Sequence, residues 1–104
     1  MGALVGIFYG AFAEHHVYLT VHSSDDYAGP VNATVKVDGQ TGTIDGTQSI
    51  WANYTTITLR GMVGENTESW ELTTSDFNIL NGTRSFTGAT GISYSQQVGL
   101  GRIG

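Results

Sequence analysis

The sequence predicts an all-β fold, a single antiparallel β-sandwich or barrel of about eight or nine short strands. Glycine, threonine and β-branched residues dominate the chain, and no apolar repeat at helical three-and-four spacing has a useful length. Apolar and polar residues instead alternate in short runs, which turn-forming residues separate at intervals of roughly ten residues. These observations together indicate a sheet protein with many turns.

The composition indicates one acidic domain, residues 1–104, with few cations. A chain of 104 residues has the size of a single domain that folds around one core without metal or disulfide cross-links. Nine Asp and Glu against four Lys and Arg give a net charge of −5. This disfavours nucleic acid as a partner, because phosphate binding needs clustered cations. The chain has no cysteine, which excludes disulfides, thiolate metal sites and thiol nucleophiles.

The N-terminal arm, residues 1–13, is uncharged and is apolar or glycine throughout. It lacks the preceding Lys or Arg of a secretory signal, and as a helix it is too short for the ~30 Å core of a membrane. A strand apolar on both faces needs cover on both, so we expect it to insert into its own sheet or a neighbouring subunit. Donation to a neighbour is favoured, because the remaining chain is small enough to cover such a strand only at its centre. The predicted assembly residues are Leu4, Val5, Ile7, Phe8, Tyr9 and Phe12.

Two stretches after the arm have clear strand and loop patterns. Residues 16–22 alternate apolar and polar side chains, which is typical of a half-buried strand. Residues 23–30 contain several turn formers and the single proline of the chain, and they predict a loop.

Residues 31–44 predict a hairpin. The alternation runs up to Asp38 and Gly39, a dipeptide that accepts the positive φ of a tight turn. A four-residue loop that starts at Asp38 would place Val35 opposite Ile44, which keeps apolar residues together across the ladder.

The second half of the chain contains shorter strand candidates. We expect turns at Asp45-Gly46 and Asn81-Gly82. Residues 99–104 read G-x-G-x-x-G, but no helix follows as the dinucleotide fingerprint requires, so they predict a glycine-rich C-terminal tail. The strand candidates are residues 54–59, the stretch around Trp70 and Leu72, and residues 77–80, 84–87 and 91–94.

The inward positions of these strands predict one apolar core. Trp70 is assigned to it rather than to the surface, although its neighbours Ser69 and Glu71 are polar. The predicted core residues are Val17, Leu19, Val21, Val35, Ile44, Ile57, Leu59, Trp70, Leu72 and Phe77.

The sequence predicts no catalytic or metal site. His16 and His22 share a predicted strand face, but six residues of strand span about 20 Å, so both cannot ligate one ion. The chain contains no nucleophile elbow, phosphate-binding loop or zinc-protease motif. We therefore expect a protein that is not an enzyme and uses no metal or other cofactor.

The sequence contains candidate glycosylation sites and a candidate pair of sugar-stacking residues. Asn32, Asn53 and Asn81 each begin an Asn-x-Thr sequon, and Asn81 is expected to be the most accessible because it lies in a predicted turn. Trp51 and Tyr54 flank a predicted turn, and they would form a platform for stacking a sugar ring if both face outward.

Two functions from different classes remain open. The preferred one is a structural subunit that assembles with copies of itself, by strand or arm exchange, into a filament, shell or tail-like assembly at an extracellular or virion surface. It rests on the uncharged arm and on the single lysine and proline, because monomers usually guard sheet edges with these residues. The alternative is a carbohydrate-binding β-sandwich module with glycans as partners. Neither function needs nucleic acid or a membrane span.

Overall fold

Eight antiparallel strands form a closed barrel in which each strand pairs with its neighbour in sequence and β8 pairs with β1. The computed structural model describes residues 4–12, 15–24, 29–88 and 90–104, and none of these residues is helical. The predicted all-β fold is therefore confirmed, in its barrel form. The strands are β1 (Gly6–Phe12), β2 (His15–Ser24), β3 (Gly29–Val37), β4 (Gln40–Ile50), β5 (Thr55–Val63), β6 (Asn66–Thr74), β7 (Ile79–Thr87) and β8 (Ser93–Arg102).

The apolar core fills the interior of the barrel. Successive side chains of a strand point to opposite faces, so alternate positions of each strand face inward. The predicted core is confirmed, with Phe77 partly buried at its margin. The buried apolar residues are Leu4, Phe8, Val17, Leu19, Val21, Val31, Ala33, Val35, Val37, Ile44, Ile57, Leu59, Val63, Trp70, Leu72, Leu80, Val98 and Leu100.

Two glycines that predict turns in the sequence lie inside strands instead. Gly46 is in β4 and Gly82 is in β7, so the turns expected at Asp45-Gly46 and Asn81-Gly82 are wrong. A Cβ at Gly46 would overlap the carbonyl oxygen of Thr58, and one at Gly82 would overlap that of Glu71. These glycines therefore allow neighbouring backbones to approach closely where the barrel curves.

The β3–β4 turn is tighter than the sequence predicts. Asp38 and Gly39 alone connect the strands, with φ of 50° and 90°, which suits a two-residue hairpin turn. Val35 consequently pairs with Gly42, and Ile44 pairs with Ala33. The predicted pairing of Val35 with Ile44 is wrong because a two-residue loop shifts the register.

The last two strands are longer than the sequence predicts. The candidates 77–80 and 84–87 merge into a single strand, β7, which begins at Ile79, so that Phe77 lies in the preceding loop with a φ of 60°. The expected glycine-rich tail is largely part of β8, which runs to Arg102. Glycine lowers strand propensity, but the pairing of residues 99–101 with β7 overrides it.

The meander places alternate connections at opposite ends of the barrel. One end, the Trp51 end, carries the β4–β5 and β6–β7 connections. The opposite end, the His15 end, carries the start of β2 and the β3–β4, β5–β6 and β7–β8 connections. Loops that are distant in sequence therefore become neighbours at each end.

Candidate functional site

Two exposed aromatic rings stack on each other at the Trp51 end. Trp51 and Tyr54 are 56% and 45% exposed, and their ring centroids lie 6.2 Å apart with an angle of 24° between the planes. The backbone N–H of Trp51 donates to the carbonyl oxygen of Tyr54 at 2.8 Å, which closes the β4–β5 loop. The indole N–H of Trp51 also donates to Thr56 Oγ1 at 3.4 Å. These bonds hold both rings outward, with their faces nearly parallel.

Two depressions include Tyr54 in their lining. The first has a volume of about 290 Å³ and extends from Tyr54 to Asp76, Ile79 and Asn81. The second, of about 280 Å³, lies between Trp51 and the β6–β7 connection. Both depressions include Tyr54, Thr74 and Ser75 in their lining, so they form one surface. We call this surface, with the Trp51 and Tyr54 rings, the aromatic face.

The β6–β7 connection supplies an ordered carboxylate to the aromatic face. Asp76 Oδ1 accepts hydrogen bonds from the backbone N–H groups of Asn78 at 2.9 Å and Ile79 at 3.1 Å. These two bonds hold the pKa of the Asp76 carboxyl below its usual value. The backbone N–H of Phe77 donates to Thr74 Oγ1 at 2.9 Å, which fixes the same loop. The aromatic face therefore combines apolar rings with hydroxyl, amide and ionised carboxylate groups.

The sequence predicts only part of this face. Trp51 and Tyr54 are the predicted stacking residues, and the structure brings them together. Asp76 and Ile79 are missed, because they follow Tyr54 by more than twenty residues and come beside it only through the pairing of β5, β6 and β7. The proposed turn around residues 51–54 is the single sequence signal for this region.

The three sequon asparagines all lie on exposed positions. Asn53 is in the β4–β5 loop of the aromatic face, and Asn81 lines one of its depressions. Asn81 lies in β7 rather than in the expected turn. Asn32 is on the outer side of β3, and its side-chain amide donates to Ser23 Oγ at 2.8 Å. A glycan attached to Asn53 or Asn81 would stand on the aromatic face itself.

The His15 end contains a buried ion pair. Arg84 donates from Nε to Glu68 Oε1 at 2.6 Å and from Nη2 to Oε2 at 2.8 Å. Trp70 Nε1 also donates to Glu68 Oε1, at 3.1 Å, and Arg84 Nη1 donates to Gln96 Oε1 at 2.7 Å. The guanidinium lies 4.3 Å from the Phe86 ring centroid. The Glu68 carboxylate is already satisfied by these donors, which suits a structural network within the barrel.

A second polar cluster at the His15 end ties the start of β2 to the β3–β4 turn. The Asp38 carboxylate contacts the His15 ring and accepts a hydrogen bond from the backbone N–H of His16 at 2.9 Å. These two hydrogen bonds lower the pKa of the Asp38 carboxyl, and the bond with His15 has the larger effect. Asp38 lines an opening of about 150 Å³ beside Glu68 and Arg84, about half the size of either depression in the aromatic face.

The described part of the N-terminal arm lies in its own barrel. Leu4 and Phe8 are buried in the interior, whereas Ile7 is exposed on the outer face. Val5 and Tyr9 are half-buried. The arm pairs with β2 and β8 of the same chain, which differs from the donated arm that the sequence favours. The physical reason is barrel closure, which supplies an interior for one face of β1 and leaves the other face outside.

The arm's outer face is partly covered by aromatic contacts. The Tyr9 ring centroid lies 4.9 Å from that of Tyr18, and the Tyr9 hydroxyl lies 2.7 Å from His16 Nδ1. Phe12 ends β1, and its side chain lies outside the described part of the chain, as do residues 1–3 and 13 of the predicted arm.

Comparison of the sequence with models of known protein families and with curated proteins gives no match. In the described ranges, no group of three or more His, Cys, Asp or Glu side chains could hold a metal ion. The same part of the chain contains no helix of the length and apolarity that a membrane crossing requires. The functional assignment therefore rests on the geometry of the aromatic face and of the strands.

Proposed function

We propose that this protein is a non-catalytic carbohydrate-binding module whose aromatic face holds a neutral glycan chain. The observation that carries the proposal is the pair of exposed, nearly parallel rings of Trp51 and Tyr54 between two depressions. Sugar rings present an apolar C–H face that packs on an aromatic ring, while their hydroxyl groups need polar partners. The aromatic face offers both, and its two depressions, which meet at Tyr54, accommodate successive sugars.

The charge of the site favours a neutral glycan over an acidic one. The chain carries a net charge of −5, and the lowered pKa of Asp76 keeps that carboxylate ionised. An anionic sugar would be repelled by this carboxylate, whereas a neutral hydroxyl would donate a hydrogen bond to it.

The lining of the aromatic face favours binding without hydrolysis. Glycoside hydrolysis generally uses two carboxyl groups that flank the scissile bond. Among the described residues that line the two depressions, Asp76 is the one carboxylate. The proposed role is accordingly retention of a glycan at an extracellular surface, with which the three sequons are compatible.

Affinity electrophoresis in native gels that contain neutral polysaccharides tests this function. Protein from a bacterial host is used, so that no N-linked glycan covers Asn53 or Asn81. We expect at least one of a panel of β-glucan, mannan, galactan and chitin-type polysaccharides to retard the wild-type protein. Y54A should lose most of this retardation. Y94A is the matched control, because Tyr94 is 57% exposed and stacks on Phe86 near the His15 end.

The outcomes distinguish this function from non-specific binding of polysaccharide to exposed aromatic residues. Retardation that Y54A abolishes and Y94A retains supports the proposal. Equal retardation of both variants, or migration unchanged across the whole panel, contradicts it. Circular dichroism of both variants checks that each has kept the sheet structure.

A further inference from the structure

The first depression of the aromatic face contains a carboxylate beside an aromatic ring. Tyr54, which is 45% exposed, and Asp76, which is also exposed, both line it. Thr73, Ser75 and Asn81 add neutral polar groups. Among the described residues that line this depression, none is Lys, Arg or His. The charge of the lining is therefore negative.

The β6–β7 connection uses one oxygen of the Asp76 carboxylate and leaves the other free to accept. Oδ1 accepts hydrogen bonds from the backbone N–H groups of Asn78 at 2.9 Å and Ile79 at 3.1 Å, and the Thr74 hydroxyl bonds to the same oxygen at 3.5 Å. Within the described part of the chain, Oδ2 accepts no hydrogen bond. The loop thus fixes the carboxylate and leaves Oδ2 for a bound group.

Arg102 reaches the same loop but does not line the depression. Its Nε and Nη2 donate to the Phe77 carbonyl oxygen at 3.0 and 2.8 Å, and its guanidinium lies 4.6 Å from the ring centroid of buried Phe8. Hydrogen bonds, rather than a nearby positive charge, hold the pKa of Asp76 below its usual value. The Asp76 carboxylate therefore has no counter-ion in the lining of its own depression.

We propose that the aromatic face prefers glycan chains in which some sugars carry a free amine, such as partly de-N-acetylated chitin-type chains. The ammonium group lies in the first depression, against the Tyr54 ring and the Asp76 carboxylate, while a neighbouring sugar packs on Trp51. A cation is attracted both to an aromatic face and to a carboxylate, and the net charge of −5 attracts it over a longer range. This inference rests on the proposed function and names the class of sugar. Most sugars of such a chain are neutral.

Two oligosaccharides that differ by one acetyl group test the preference. One is a tetramer of N-acetylglucosamine, and the other is the same tetramer with one inner sugar de-N-acetylated. Isothermal titration calorimetry is performed at low ionic strength and mildly acidic pH, where the sugar amine is protonated and the lowered pKa of Asp76 keeps its carboxylate ionised. We expect the amine-bearing tetramer to bind the wild-type protein roughly three- to tenfold more tightly, as is usual for exposed cation contacts.

Two variants assign the preference to Asp76. D76N removes the charge but keeps an oxygen that accepts the hydrogen bonds of the loop, so it should abolish the preference and leave binding of the acetylated tetramer nearly unchanged. E65Q is the matched control, because it removes the same charge from an exposed residue of the β5–β6 connection at the His15 end. E65Q should retain the preference. Thermal unfolding checks that both variants stay folded.

Several results overturn this inference. The amine-bearing tetramer binds the wild-type protein no more tightly than the acetylated one, or D76N retains the preference. A loss of the preference in E65Q equal to that in D76N also overturns it, because total charge would then explain the effect. If neither tetramer binds, the amino-sugar class is wrong, whereas the proposed function is decided separately by the polysaccharide panel in native gels.

Discussion

The guanidinium of Arg84 holds the carboxylate of Glu68 through two parallel hydrogen bonds of 2.6 and 2.8 Å. The Arg84 and Glu68 side chains are 4% and 0% exposed. Each charge is therefore stabilised by its partner rather than by water. Removal of one partner from such a pair is strongly destabilising, because the other charge stays buried without compensation.

The first prediction concerns this pair. R84M should lower the free energy of unfolding by about 3 to 5 kcal/mol, because it leaves the Glu68 carboxylate buried without its partner. The double variant E68Q/R84M should recover most of that loss, since glutamine is neutral and still accepts the hydrogen bond from Trp70. Urea unfolding followed by circular dichroism measures both changes. R60M, at an exposed arginine of β5, is the control, and a loss in R84M no larger than in R60M would contradict the prediction.

The second prediction concerns the glycines of the barrel wall. G46A should destabilise the protein by about 1 to 3 kcal/mol, because its Cβ has to displace the backbone of β5 at Thr58. G101A is a matched control in a strand, since a Cβ there meets no atom within 4 Å. Thermal unfolding of the two variants compares them directly. Equal melting temperatures would show that close backbone approach is not the reason for glycine at position 46.

The third prediction concerns pH. The pKa of Asp38 is lowered in the folded state, chiefly by its hydrogen bond with His15, so the ionised carboxylate stabilises the fold. This stabilisation is present above the pKa of an unfolded Asp, about 3.9, and is lost as the pH falls through the lower folded-state value. The wild-type protein should therefore have a higher melting temperature than D38N near neutral pH, and the two melting temperatures should converge in acid. Asparagine tolerates the positive φ of position 38 equally well, and a gap that stays constant into acid would refute the role of the charge.

Local alternation explains what the sequence predicts correctly. Val17, Leu19 and Val21 face one side of β2 because of the period of two in any strand, whatever the strand pairs with. The prediction at Gly46 is wrong, because the Asp-Gly dipeptide is typical of a turn. Glycine is required there because the backbone of Thr58 in the neighbouring strand lies too close for a Cβ. Proximity of that kind depends on register and curvature, which a single strand does not reveal.

In the aromatic face, too, the sequence predicts the local features and misses those that depend on how the strands pair. Trp51 and Tyr54 are predictable, because they flank one short loop. The depressions between that loop and Asp76 form only when β4 to β7 are in register around the barrel. The arm is also predicted as a strand, but its place between β2 and β8 depends on closure, which is a property of the whole sheet.

The central claim, that the Trp51–Tyr54 face binds a neutral glycan, is tested most directly by the fluorescence of the two tryptophans. Trp51 is 56% exposed and Trp70 is fully buried, so a neutral collisional quencher such as acrylamide reports mainly on Trp51. We predict that the polysaccharide that retards the protein in native gels shields Trp51 and reduces the quenching constant at least twofold. It should leave the quenching of Y54A nearly unchanged. A quenching constant that no neutral polysaccharide of the panel alters in the wild-type protein would contradict the claim.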